Sequence, residues 1–236
     1  MAKKGKVKTT HLRKNVEERP LRIRKYEQFF LIVCEDEKTE PLYFTNFKNE
    51  FPKGTMYLRP VGTGRDPKGV VIQAIAEREK LKEEYNKEVD FTWAVFDIDD
   101  ASENDTKIKN FEEAFSIAER ENIQIAYSNE VFELWLLLHL KKVEERKPLS
   151  RFVIYEELQN QIRKTGEKYA TFEYDHYKSN NIVEIIKEIG NEKQAIKKAE
   201  KLLEFHKETN PINANPSTKL HLLVKELRDW IKFYNN

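Results

Sequence analysis

The chain has a single cysteine, Cys34, in 236 residues, so no internal disulfide can form, and this usage suits a reducing cytoplasm. No apolar run approaches the ~20 residues that a membrane span needs. The first residues also lack the apolar core of a signal peptide. A soluble, cytoplasmic protein without membrane association is therefore expected. A glycine-marked loop, Gly62-Thr63-Gly64-Arg65-Asp66-Pro67, lacks the full G-x-x-x-x-G-K-[ST] spacing, so no nucleotide-binding P-loop is claimed. Within that loop Thr63 and Arg65 could touch phosphate, or the segment could be a plain turn. Net charge is only +1, from 42 Lys and Arg against 41 Asp and Glu, but the charge is unevenly spread. Residues 1–25 hold ten Lys and Arg against Glu17 and Glu18. Such a segment reads as a flexible arm, either solubilising or able to neutralise nucleic-acid phosphates.

The densest chemical signal is Phe91-Thr92-Trp93-Ala94-Val95-Phe96-Asp97-Ile98-Asp99-Asp100, an apolar run that leads straight into three carboxylates. Trp93 to Phe96 predict a short buried strand. Along a strand alternate residues share a side, which would put Asp97 and Asp99 about 6.5–7 Å apart at Cα. At an effective dielectric near 20, two such charges ~6 Å apart repel by about 3 kcal/mol. A divalent hard cation such as Mg2+ would relieve that repulsion, because it binds through one or two carboxylates and keeps waters for substrate phosphates. The plain alternative is a solvated acidic turn.

A second apolar run, Phe29 to Cys34, is followed at once by Glu35-Asp36-Glu37-Lys38-Thr39-Glu40. Continuous apolar strands belong to parallel sheets covered on both faces, where ligands gather at the carboxyl ends. Glu35, Asp97 and Asp99 would then share one rim. Thr39 or Glu37 could open the next helix, with Pro41 in its first turn. Further along, Met56–Val61 and Ile123–Tyr127 predict strands, and Val70–Tyr85, Ile108–Arg120 and Phe132–Leu140 predict helices. The expected fold class is α/β, a small parallel sheet flanked by helices. From Ser150 the sequence turns helical and charged, with helices predicted over Phe152–Lys164, Ile182–Ile189 and Glu192–His206. Ser217 or Thr218 would cap the last helix, whose Leu220, Leu223, Val224, Leu227, Trp230 and Ile231 form an apolar seam. The expected organisation is thus a basic arm at 1–25, a core at 26–145 and a helical C-terminal extension at 146–236. Glu133 could face the acidic rim or sit exposed at a helix N-terminus. Lys219, near the start of the last helix, implies a nearby anion. Tyr169, Tyr174, His176 and Tyr177 could stack a base or simply pack.

Four segments together resemble the RloB-like proteins, which carry a Toprim domain. They are Val33–Phe44, Val95–Asp100, Ser128–His139 and Asn215-Pro216-Ser217-Thr218-Lys219, in the expected order. Toprim domains are shared with topoisomerases, DnaG-type primases and OLD nucleases. The resemblance implies a Toprim-like core with metal-dependent phosphoryl transfer. Glu35 would be the catalytic glutamate, Asp97 and Asp99 the D-x-D pair, and Mg2+ (or Mn2+) the metal held by all three. Glu133 is a further catalytic candidate, with Lys38, Arg65, Ser128 and Lys219 as nucleic-acid contacts. It also implies a nuclease acting on RNA or DNA as an anti-phage effector beside an ATPase partner. A non-catalytic Mg2+-binding module regulating such an ATPase is the alternative, and other D-x-D enzymes fit the Glu35 strand poorly. The chain departs from the family pattern at Asp36, where glycine is expected, and at Glu130, where a proline or small residue is expected.

Overall fold

The computed structural model describes residues 27–98, 104–178 and 181–236. The basic arm and Asp99 lie outside these residues. Among the described residues, five strands form one sheet in the order β2-β1-β3-β4-β5. They are β1 (Gln28–Cys34), β2 (Met56–Gly62), β3 (Phe91–Asp97), β4 (Gln124–Asn129) and the two-residue β5 (Ser217–Thr218). The first four run parallel, and only β5 is antiparallel, against β4.

Each parallel step is bridged by a helix: α1 (Thr39–Thr45), α2 (Pro67–Tyr85) and α3 (Asp105–Arg120). Strand alternation divides the apolar runs between two cores. Leu31, Val33, Ala94 and Phe96 pack under α2 and α3 with Val70, Ala74 and Phe111. Phe30, Ile32, Trp93 and Val95 face the other way, toward Phe44, Leu134, Trp135 and Leu223. Both faces are therefore covered, which is why these strands read as continuous apolar runs rather than alternating ones.

That second layer comprises α1, α4 (Glu133–Leu140), α5 (Arg151–Arg163), α6 (Ile182–Ile189), α7 (Glu192–Phe205) and α8 (Leu220–Asn235). The expected α/β fold and its helical C-terminal part are present. The C-terminal part is tied into the same sheet through β5, however. Ser217 and Thr218 are strand residues, and the helix-capping role expected of them is only partly met: Lys219 occupies the N-cap position while Thr218 Oγ1 accepts from the Leu220 backbone nitrogen at 3.2 Å. Along α8, Leu220, Leu223, Val224 and Leu227 are buried, with Trp230 and Ile231 packed partly against the core.

The chain leaves β1 for β2 on one side and then returns to place β3 on the other. The β1/β3 boundary is thus the switch point of the sheet, where the connecting helices part and a crevice opens at the carboxyl ends. Glu35 and Asp97 stand at this crevice.

Candidate functional site

Glu35 follows the last residue of β1, and its backbone nitrogen extends the ladder to Val95 O at 2.9 Å. Its carboxylate then crosses the switch point: Oε2 accepts from the Asp97 backbone nitrogen at 2.9 Å. The two half-buried acids are thereby held side by side. The glycine-marked loop holds this corner in place. Thr63 Oγ1 donates to Cys34 O at 2.9 Å, and Gly64 N donates to Glu35 O at 2.8 Å. Glycine is required at both turn positions. Gly64 has φ +61°, and a Cβ on Gly62 would stand 2.5 Å from Glu37 Cα. Asp66 ends the loop by capping α2 through Gly69 N at 2.8 Å. Beside Glu35 and Asp97 opens a cavity of about 180 Å³, closed by Asp66 and by Thr106, Lys107 and Asn110 from α3.

A second group of acids lies behind the pair. Asp36 does not point away as a loose charge. Its carboxylate accepts from Lys38 N at 3.1 Å and from Thr39 N, satisfying amides that open α1. Glu40, in the first turn of α1, is only 1% exposed and accepts from Asp36 N at 3.2 Å. Its carboxyl pKa is raised well above the usual range, first by burial and then by the charges of Glu35, Asp36 and Glu133. Glu133 is buried at the start of α4 and accepts a hydrogen bond from the Tyr174 hydroxyl. Burial, followed by the Glu133 charge, pushes Tyr174 up and keeps that hydroxyl a donor. Even Cys34 feels the cluster, its thiol raised by burial and then by Glu40 and Asp36. That thiol is core, not a nucleophile.

Glu35, Asp66 and Asp97 offer carboxylate oxygens at this rim, the chemistry that suits Mg2+ or Mn2+ over softer ions. Among the described residues, no three His, Cys, Asp or Glu side chains form a metal-holding group. Mg2+ asks for less, since one or two carboxylates and several waters complete its shell. Glu35 and Asp97 supply two, and Asp99 is two residues further along the chain.

The remaining expected site residues are spread around the rim. Lys38 and Arg65 are exposed beside Glu35, on the α1 and β2 sides. Ser128 pairs in register with Asp97, but it is 1% exposed and its hydroxyl meets Thr218 Oγ1 at 3.0 Å. It braces the rim instead of presenting a hydroxyl. Lys219 N donates to Tyr127 O at 2.8 Å, and its ammonium lies 5.4 Å from the Tyr127 ring centre, with its pKa lowered by burial. His139 is far along α4, buried, and held neutral by desolvation and by Lys198, its pKa lowered to about 3. Sequence reasoning did not single out Glu40 or Lys107. The one available signal for Glu40 was an acid at a helix start five residues after Glu35.

Glu130 has a structural task. It accepts from Arg151 N at 3.1 Å, at the start of α5, and from Asn215 Nδ2 at 3.3 Å. Asn215 also exchanges hydrogen bonds with Leu149 at 2.9 and 3.0 Å. Asn129, one residue earlier, donates to Pro211 O and Ile212 O at 3.0 and 3.1 Å. The segment after β4 and the segment before β5 are therefore one hydrogen-bonded unit. RloB-like protein is the family that matches, over residues 30–227. The chain belongs to the RloB-like family. That span takes in β1 through most of α8, so the rim acids and the Glu130–Asn215 unit both lie inside the family region. No curated protein and no solved structure matches this RloB-like chain.

Proposed function

We propose that this RloB-like protein is a Mg2+-dependent nuclease, with Mn2+ as a substitute, that hydrolyses phosphodiester bonds of RNA or DNA. We read its core as Toprim-like and its setting as bacterial anti-phage defence beside an ATPase partner. The observation that carries the reading is the Glu35 to Asp97 hydrogen bond at the sheet's switch point. It brings together two acids from strands far apart in sequence, and packing alone gives no reason to pair them.

Asp97, Asp99 and Glu35 would hold the ion. When bound, it supplies charge stabilisation at the phosphate and a more acidic water. The protein's own groups have separate tasks. Glu35 is oriented by the Asp97 amide, which would hold its carboxylate toward the ion. Glu133 stands behind it and deepens the negative potential that draws in a cation, while Glu40, which burial pushes toward its neutral form, holds the Asp36 amide in place. Lys38 and Arg65 on one side and Lys219 on the other would meet phosphates. The basic arm would add sequence-independent attraction.

The test is cleavage of end-labelled RNA and DNA with Mg2+, Mn2+ or chelator, alone and with a triggered ATPase partner. Metal-dependent cutting that ends with chelator is expected. No cutting by the wild type, even with a triggered partner, favours the non-catalytic module.

A further inference from the structure

The 170–178 segment carries an aromatic series that the metal site does not use. It begins at Tyr174, whose hydroxyl donates to Glu133 in the acid cluster and whose backbone nitrogen donates to Gln159 Oε1 at 2.9 Å. From there the rings continue outward. Tyr155 of α5 lies 5.3 Å from Tyr174, and His176 is stacked on Tyr155 at 5.2 Å with an interplanar angle of 17°. Tyr177 follows at 3.7 Å from His176. Exposure rises along the series: Tyr174 and Tyr155 are half-buried, His176 is exposed, and Tyr177 is 78% exposed. Beside Tyr155 on α5, Phe152 is 74% exposed.

Core packing does not account for the outer end of this series. Tyr155, Tyr169, Phe172 and Tyr174 pack against the core, whereas His176 and Tyr177 do not. Four consecutive rings lead from a carboxylate cluster to solvent and provide a platform of π-faces, with Asp175 tied to the Tyr177 amide and to Lys178 beside it. Stacking on such rings tolerates any base, but the bases must be unpaired to reach it. We infer that Tyr155, His176 and Tyr177 form a stacking track for single-stranded nucleic acid that delivers the strand to the Glu35–Asp97 rim. The inference names the substrate class of the proposed nuclease and rests on that reading. A protein partner on the same surface is the competing occupant, and the binding measurement below separates the two. The track recognises unpaired bases with little sequence preference, and a duplex cannot present its base faces to it.

The experiment is fluorescence anisotropy with fluorescein-labelled 12-mer oligonucleotides, single-stranded RNA and DNA and the matched duplex, on the full chain in chelator so that binding is read without cutting. Single strands should bind more tightly than duplex. Tyr177→Ala, at an exposed site that leaves the core untouched, should weaken single-strand binding roughly 5- to 100-fold and leave duplex binding unchanged. The slope of log affinity against log salt should stay the same, because no phosphate contact is lost. Tyr177→Trp should restore binding, since stacking needs a ring and not the hydroxyl. Equal single-strand affinity in wild type and in the His176→Ala/Tyr177→Ala double variant overturns the track, whether or not the protein cuts. Single-strand binding that depends on Tyr177 in a protein that never cuts keeps the track and removes the nuclease reading.

Discussion

The Glu35 carboxylate accepts a hydrogen bond from the backbone of Asp97 at 2.9 Å, across 62 positions of sequence. The bond joins the carboxyl ends of β1 and β3 at the place where the sheet changes winding direction. Two acids are thus fixed by backbone as well as by side chain, and the consequences can be measured.

Asp97→Asn keeps the side chain's size and removes one negative charge from the rim. Metal-dependent cleavage should fall to background. The melting temperature without metal should stay the same or rise, because repulsion among the acids is relieved. Wild-type cleavage by this variant would show that Asp97 holds no metal.

Glu40 gives a pH signature. Its folded-state pKa is raised by burial and by Glu35, Asp36 and Glu133. In the unfolded chain a glutamate titrates at ~4.3. Below that pH it is protonated in both states and imposes no penalty. Above it the unfolded chain ionises freely while the folded one resists, so stability falls as pH rises through the folded pKa. Glu40→Gln should therefore match wild type in Tm near pH 4 and exceed it at neutral pH in chelator. Thermal melts across pH check this, and a Tm difference that does not change with pH contradicts it.

Glu130→Ala removes the acceptor for Arg151 N and Asn215 Nδ2. Leaving part-buried donors without their partner costs about 1–3 kcal/mol. Denaturant unfolding should show an unfolding free energy lower by that amount and a correspondingly lower midpoint. No change in the midpoint would mean that the Glu130–Asn215 unit adds nothing to stability.

Much of this arrangement is legible in sequence. The apolar runs Phe29–Cys34 and Trp93–Phe96 announce strands buried on both faces, and acids following such strands in a parallel sheet must share an edge. Glu35 and Asp97 could therefore be paired before any coordinates. Glu40 could not. An acid in a helix's first turn is ordinarily solvated and favoured by the dipole, and its burial follows from how α1 packs with α4. Tyr174 reaches Glu133 from 41 residues away, through a segment with no regular periodicity. Strand β5 has only two residues, too few for any alternation to show, so Ser217 and Thr218 read as helix caps. The same two residues place Lys219 on the β4 side of the rim.

Deleting residues 1–21 should weaken nucleic-acid binding and flatten its salt dependence, since each phosphate contact of a single strand adds about 0.7 to the slope of log affinity against log salt. Chelator-sensitive cleavage of short oligonucleotides at saturating enzyme should persist. An unchanged slope would reduce the arm to a solubility segment.

The most direct test of the central claim is single-turnover cleavage by Glu35→Gln, with the ATPase partner present and triggered. The glutamine amide oxygen can still accept from the Asp97 amide, so the fold and oligonucleotide affinity should match wild type. The loss of charge and basicity should slow Mg2+-dependent cutting by about 10²–10⁴-fold or more. Cutting at the full wild-type rate by this variant would contradict the account.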